Sequence, residues 1–140
     1  LSPSISFHSE DVDFQLENEQ KIIDWIISTI HQEGKYSTEI SYIFCSDAYL
    51  HQMNLEYLNH DTYTDIITFD YTENSVVSGD IFISIDRVKE NAKKFNTTFL
   101  NELSRVIIHG VLHLVGYKDK STEQKQVMRS KEDFYLTLQN

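Results

Sequence analysis

The chain has 140 residues, 40% hydrophobic and 12% aromatic, with four Gly and one Pro; a domain takes roughly 100–200 residues, so one domain (1–140) with a real core is expected, and disorder and fibrous repeats are excluded. No run approaches the roughly 18 apolar residues of a membrane span, Leu1-Ser2-Pro3-Ser4 has neither the basic nor the apolar part of a signal peptide, and the lone Cys45 can form neither an internal disulfide nor a cysteine zinc site, so a soluble protein of the reducing cytoplasm is expected. The net charge of −10 speaks against indiscriminate polyanion binding, but residues 1–85 hold two basic and fifteen acidic side chains while 86–140 hold ten basic and seven acidic, which leaves room for a local phosphate site.

Ile5-Ser6-Phe7 suggests a short strand, and Ile22, Ile23, Ile26, Ile27 and Ile30 recur on one helical face that ends near Gly34. Glu39 to Cys45 alternates Ile40, Tyr42 and Phe44 against the other face, a mostly buried strand. Asp47 can cap a helix carrying Tyr49, Leu50, Met53 and Tyr57. The polar loop Asn59-His60-Asp61-Thr62 leads into the β-branched run Thr64 to Phe69, and Gly79 to Ile85 reads as a fourth strand. From there the pattern is helical. Asp86 can cap a helix burying Val88, Ala92 and Phe95, and a second helix runs from about Thr98 to Val115. Ser121 and Gln124 have capping-box spacing for a last helix with Val127, Met128, Phe134, Tyr135 and Leu138 as its apolar positions. The fold class is α+β: about four strands in a mixed sheet, about five helices, and a central buried helix from Thr98 to Val115.

That central helix is apolar on nearly every side, yet Glu102, Arg105, His109 and His113 recur at steps of three or four and share one stripe. Two imidazoles one turn apart can approach a single metal ion; they can equally be hydrogen-bonded helix residues, and spacing alone favours the latter. The residues beyond them shift the balance. Gly116 can stop the helix in a left-handed conformation, and Asp119 behind it completes His109-x3-His113-x5-Asp119, three ligands with a fourth position left for water, the open form of a catalytic zinc site. Gly110, inside the helix, costs about 1 kcal/mol relative to Ala and implies close approach of backbone or ligand. A metalloprotease would need Glu where Gly110 stands, so peptidase action is disfavoured. Arg105 can pair with Glu102 on the same stripe. Asp65 and Asp80 lie next to strand ends and fit turn, capping or loop-orienting roles. Cys45 fits a small core residue, and His8, His31, His51 and His60 fit surface or hydrogen-bonded positions.

His109-Gly110-Val111-Leu112-His113-Leu114-Val115-Gly116-Tyr117 resembles the signature of the YbeY family, and Met53-Asn54, Tyr57, Asp61, Thr64 to Phe69 and Gly79-Asp80-Ile81 match it in order along the whole chain. The resemblance implies a zinc-dependent, single-strand-type endoribonuclease acting in ribosomal RNA maturation and ribosome quality control. The partners it implies are ribosomal RNA or the small ribosomal subunit and ribosome-associated proteins, with no membrane. Two positions depart from the family pattern. Its third ligand is a histidine after Gly-Tyr-Asp, whereas this sequence reads Gly116-Tyr117-Lys118-Asp119-Lys120, and Leu58 stands where the family has an arginine associated with activity. An anionic ligand leaves one less positive charge on the site, making the metal a weaker Lewis acid. Lys118 and Lys120 are the candidates to restore the field and contact phosphate, with Arg87 and Arg105 as alternatives. The competing function is a ribosome-assembly factor in which the metal only locks the last helices together.

Overall fold

A computed structural model describes residues 2–139. These form four strands and five helices in the order β1 (Ser4–Ser9), α1 (Glu19–Gln32), β2 (Tyr36–Cys45), α2 (Asp47–Leu58), β3 (Ile66–Asp70), β4 (Val76–Ser84), α3 (Ile85–Lys94), α4 (Phe99–Leu114) and α5 (Thr122–Thr137). The sheet runs β1-β2-β4-β3; β1, β2 and β4 are parallel, and β3 closes the edge antiparallel to β4. It is the expected mixed sheet with five helices. Among the described residues no helix is long and apolar enough to cross a membrane.

The period-two pattern divides the core between the two faces of the sheet. Ile40, Tyr42 and Phe44 of β2 and Val77, Ile81 and Ile83 of β4 join α1 and α4 in the main core, while Ile67, Cys45 and Leu50 make a smaller cluster under α2. Cys45 is fully buried, as its sequence context implies. The central helix α4 buries Leu103, Val106, Ile107, Ile108, Val111, Leu112 and Leu114, each contributing about 1.5–3 kcal/mol by leaving water. Its seat is fixed by two polar ties: the Tyr42 hydroxyl donates to the Ile107 carbonyl at 3.0 Å, and Thr72 Oγ1 donates to the Leu114 carbonyl at 3.3 Å. Gly110 is where α4 meets the sheet. A Cβ there would lie 3.0 Å from two Ile81 carbons and 3.1 Å from Ile66 Cδ1, so the glycine serves backbone approach.

Several expectations are corrected in detail. Ser46 and Ser84, not Asp47 and Asp86, cap α2 and α3, accepting from Tyr49 N and Arg87 N. The two aspartates are drawn into tertiary contacts instead: Asp47 binds Arg87 at 2.6 Å and Ser84 at 2.9 Å, and Asp86 accepts from Asp47 N. β2 and β4 each begin three residues earlier than their sequence patterns suggest, because Tyr36 and Ser37 pair with Val76 and Val77 ahead of a register shift. Thr64 and Asp65 precede β3 as loop. Phe95 is exposed: it lies just past α3, where Asn96 adopts a left-handed conformation and turns the chain away from the core. On α5 Met128 and Tyr135 are buried, whereas Val127, Phe134 and Leu138 are exposed. The Ser121/Gln124 capping box forms in full.

Candidate metal centre

The stripe on α4 faces a cavity of about 480 Å³, and Glu102, Arg105, His109 and His113 all line it together with Asp119. The chain returns to the helix as Gly116 implies. Its φ of +117° permits a double closure in which Gly116 N–H donates to the His113 carbonyl and Tyr117 N–H to the Leu112 carbonyl, both at 3.0 Å. After this turn Asp119 faces the two rings. Its Oδ2 is 3.3 Å from His109 Nε2 and 3.4 Å from His113 Nε2, and one ligand atom from each residue lies within 4.8 Å of the others. The rings stand nearly perpendicular, 82° apart, with centroids 4.6 Å from one another.

The opposite edge of each ring is already engaged. His113 Nδ1 donates to the Tyr117 carbonyl at 3.1 Å, which can only accept, so the neutral ring carries its lone pair on Nε2. Burial and the neighbouring His109 ring hold the His113 pKa below its usual value, favouring that neutral form. His109 Nδ1 bonds Glu132 Oε2 at 2.6 Å. Burial opposes charge on this ring too, but the Glu132 bond and the charges of Glu132, Asp119 and Asp65 outweigh it and raise the His109 pKa. Two nitrogens and one carboxylate oxygen thus converge on one point, with both rings oriented from behind, the arrangement in which histidine ligands are held for a metal. The donor set fits a divalent ion of borderline softness.

Glu132 was not legible as a site residue, because it lies on α5 and reaches the cavity only through α4–α5 packing. It is buried, and it also accepts from Arg105 Nη1 at 2.9 Å; Arg105 Nη2 binds Asp133 at 2.7 Å. This corrects the expected Glu102–Arg105 pair. Arg105 turns to α5, and Glu102 is left buried with no hydrogen-bond partner among the described residues. Asp65 also lines the cavity. Burial pushes its carboxyl up, partly opposed by nearby His109.

The cations are distributed differently from the expectation. Lys118 and Lys120 flank Asp119 on its loop, outside the cavity lining, whereas Arg105 and Arg129 line it. Arg129 is the more open of the two, 62% exposed and 4.0 Å from Glu132. Arg87 is paired with Asp47 and also lies outside the lining, and Leu58 is exposed at the end of α2 away from it. Like Glu132, Arg129 lies on α5 and reaches the cavity only through α4–α5 packing, so no local sequence signal marks it.

The family model described as Endoribonuclease YbeY matches residues 4–140. Proteins named Endoribonuclease YbeY from Flavobacterium johnsoniae and Christiangramia forsetii are 57% and 54% identical over 134 residues, covering 96% of this chain and 96% and 93% of their own lengths. A Thermotoga maritima protein with a solution structure superposes with a TM-score of 0.67 at 27% identity, over 95% of this chain and 87% of its own.

Proposed function

The chain belongs to the YbeY family, and from that premise we propose that it is an endoribonuclease that hydrolyses RNA phosphodiester bonds at a zinc ion held by His109, His113 and Asp119. The observation that carries this reading is the convergence of His109 Nε2, His113 Nε2 and Asp119 Oδ2 inside a cavity open to substrate. When bound, zinc supplies an activated water and a Lewis acid for the phosphoryl oxygen. The chain's own part is orientation and charge. Glu132 and the Tyr117 carbonyl hold the two rings with Nε2 forward, and Arg105 fixes Glu132 in turn. Because Asp119 is an anion where a histidine would be neutral, less positive charge is left for phosphate, and cations of the chain must add to it. Arg129 supplies this at the cavity rim, with Lys118 and Lys120 beside Asp119 as further phosphate contacts. Ribosomal RNA is the proposed substrate and the cytoplasm the proposed location.

The test combines two variants with metal removal. Asp119→Ala should lose zinc and cleavage of single-stranded RNA, while Lys118→Ala should keep zinc and weaken RNA binding with a smaller salt dependence. Equal zinc content in the two variants would remove Asp119 from the ligand set. Chelation should stop cleavage and leave the circular dichroism of the fold intact. A domain that melts on chelation and never cleaved RNA would instead be an assembly factor with a structural ion.

A further inference from the structure

The cavity extends beyond the metal ligands, and its far part has a chemistry the hydrolysis does not use. Glu102 lies seven residues before His109 on α4, about 10 Å along the helix axis, close to the reach from a phosphate to the outer edge of its own base. Its side chain is buried, with the residue only 5% exposed. Neither carboxylate oxygen has a hydrogen-bond partner among the described residues, and neither is sealed from the solvent of the cavity. Burial and the charge of Asp65, across the same cavity, raise its pKa, and the charges of Arg105 and Arg129 oppose this only in part. The two oxygens are open to cavity water, which a ligand carrying two adjacent donors would displace.

The same lining adds an aromatic and a cationic group. Phe95 lines the same cavity with more than half of its surface exposed, so its ring is available for a base to stack on. Lys94 Nζ stands 5.7 Å from the centre of that ring and Arg129 lines the cavity, so two cations stand beside a lining that also carries the carboxylates of Asp65, Glu102, Asp119 and Glu132. Single-stranded RNA is read on the Watson–Crick edges of splayed bases, with the bases stacked on aromatic rings. Guanine alone among the four bases offers two adjacent donors there, N1–H and the N2 amine, the pattern a carboxylate accepts. We propose that the cavity between Phe95 and Glu102 is a base pocket for guanine, with the Glu102 carboxylate receiving N1–H and the N2 amine and Phe95 stacking on the ring, so that the protein prefers guanosine beside the bond it cuts. This rests on RNA being the substrate.

Binding of mononucleotides to the protein as purified separates the pocket from catalysis. GMP and IMP differ only in the N2 amine, and AMP lacks both donors in this arrangement. By titration calorimetry GMP should bind roughly tenfold more tightly than IMP, the worth of one hydrogen bond to a charged acceptor, and AMP more weakly still. Glu102→Gln should remove the GMP preference, and Phe95→Ala should weaken GMP and IMP alike. Equal binding of GMP and IMP by the unaltered protein overturns the pocket without needing either variant to fold, as does a preference that survives Glu102→Gln. RNA cleavage by the same preparation is scored separately. Cleavage without a GMP preference refutes the pocket alone, and a GMP preference without cleavage upholds the pocket and refutes the nuclease.

Discussion

Replacing Glu132 by Gln tests whether the centre is held from behind. One carboxylate serves two donors on α4, His109 Nδ1 at 2.6 Å and Arg105 Nη1 at 2.9 Å. A glutamine has one acceptor oxygen for those two and turns an NH2 toward the other, so one charge-assisted bond is lost and two donors are left facing each other. Loss of such a group behind a ligating histidine lowers metal affinity by roughly 10–100-fold, about 1.4–2.7 kcal/mol. A stability cost adds to it even without metal. Arg105 keeps Asp133 at 2.7 Å, so the low end of the roughly 1.5–3 kcal/mol range for a charged hydrogen bond applies, a fall in melting temperature of roughly 5 °C for a chain of this size. Zinc affinity is read by competition with a chromophoric chelator, and the melting temperature in excess chelator. Asp133→Asn, which loosens Arg105 without touching His109, should lower the melting temperature slightly and leave zinc affinity as it was. A Glu132→Gln protein with zinc affinity within about twofold of the unaltered chain would refute the idea that α5 sets the orientation of His109.

Two other outcomes are expected from packing and charge away from the ligands. Glu33, at the end of α1, accepts from Tyr117 Oη at 2.7 Å, from Lys131 Nζ at 3.2 Å and from the Tyr135 hydroxyl. Burial opposes its charge, but these donors prevail and depress its pKa. A depressed carboxyl stabilises the fold above its unfolded pKa, and that contribution is lost as pH falls through the folded value. Acid titration of the unaltered chain should therefore show a loss of stability below the ordinary carboxylate range that Glu33→Gln, already weaker at neutral pH, lacks; parallel curves would contradict the assignment. Gly110→Ala should destabilise by roughly 1–2 kcal/mol in urea unfolding, since crowding Ile81 and Ile66 outweighs the gain of about 1 kcal/mol in helix propensity. Stabilisation by the substitution would show that the sheet yields at that point.

The sequence carried what is local. The stripe of Glu102, Arg105, His109 and His113 is dictated by helical period alone, and Gly116 with Asp119 by how helices end. These lie within eighteen consecutive residues and reappear around one cavity. The contacts that cross between elements were illegible. Nothing near Glu132 on α5 indicates that it would stand behind His109, and Arg105 had an equally good partner on its own helix in Glu102 until α5 offered two carboxylates. The caps show the same competition at short range. Ser46 beside Asp47, and Ser84 near Asp86, each offer two suitable oxygens, and the tertiary demand of Arg87 for Asp47 decides which remains for the end of α2. Phe95 continues the buried face in helical register, but the helix ends at this residue and the side chain is exposed.

His109, His113 and Asp119 all lie within eleven consecutive residues. Closing so short a loop costs little entropy, so the unfolded chain keeps part of the metal affinity, and only the difference between the two states stabilises the fold. Saturating metal should therefore raise the melting temperature by less than the affinity of the folded site dictates. The contributions that distinguish folded from unfolded chain are the distant ones, chiefly Glu132. During synthesis the ion could be captured as soon as residue 119 emerges, before the last helix exists to fix its geometry.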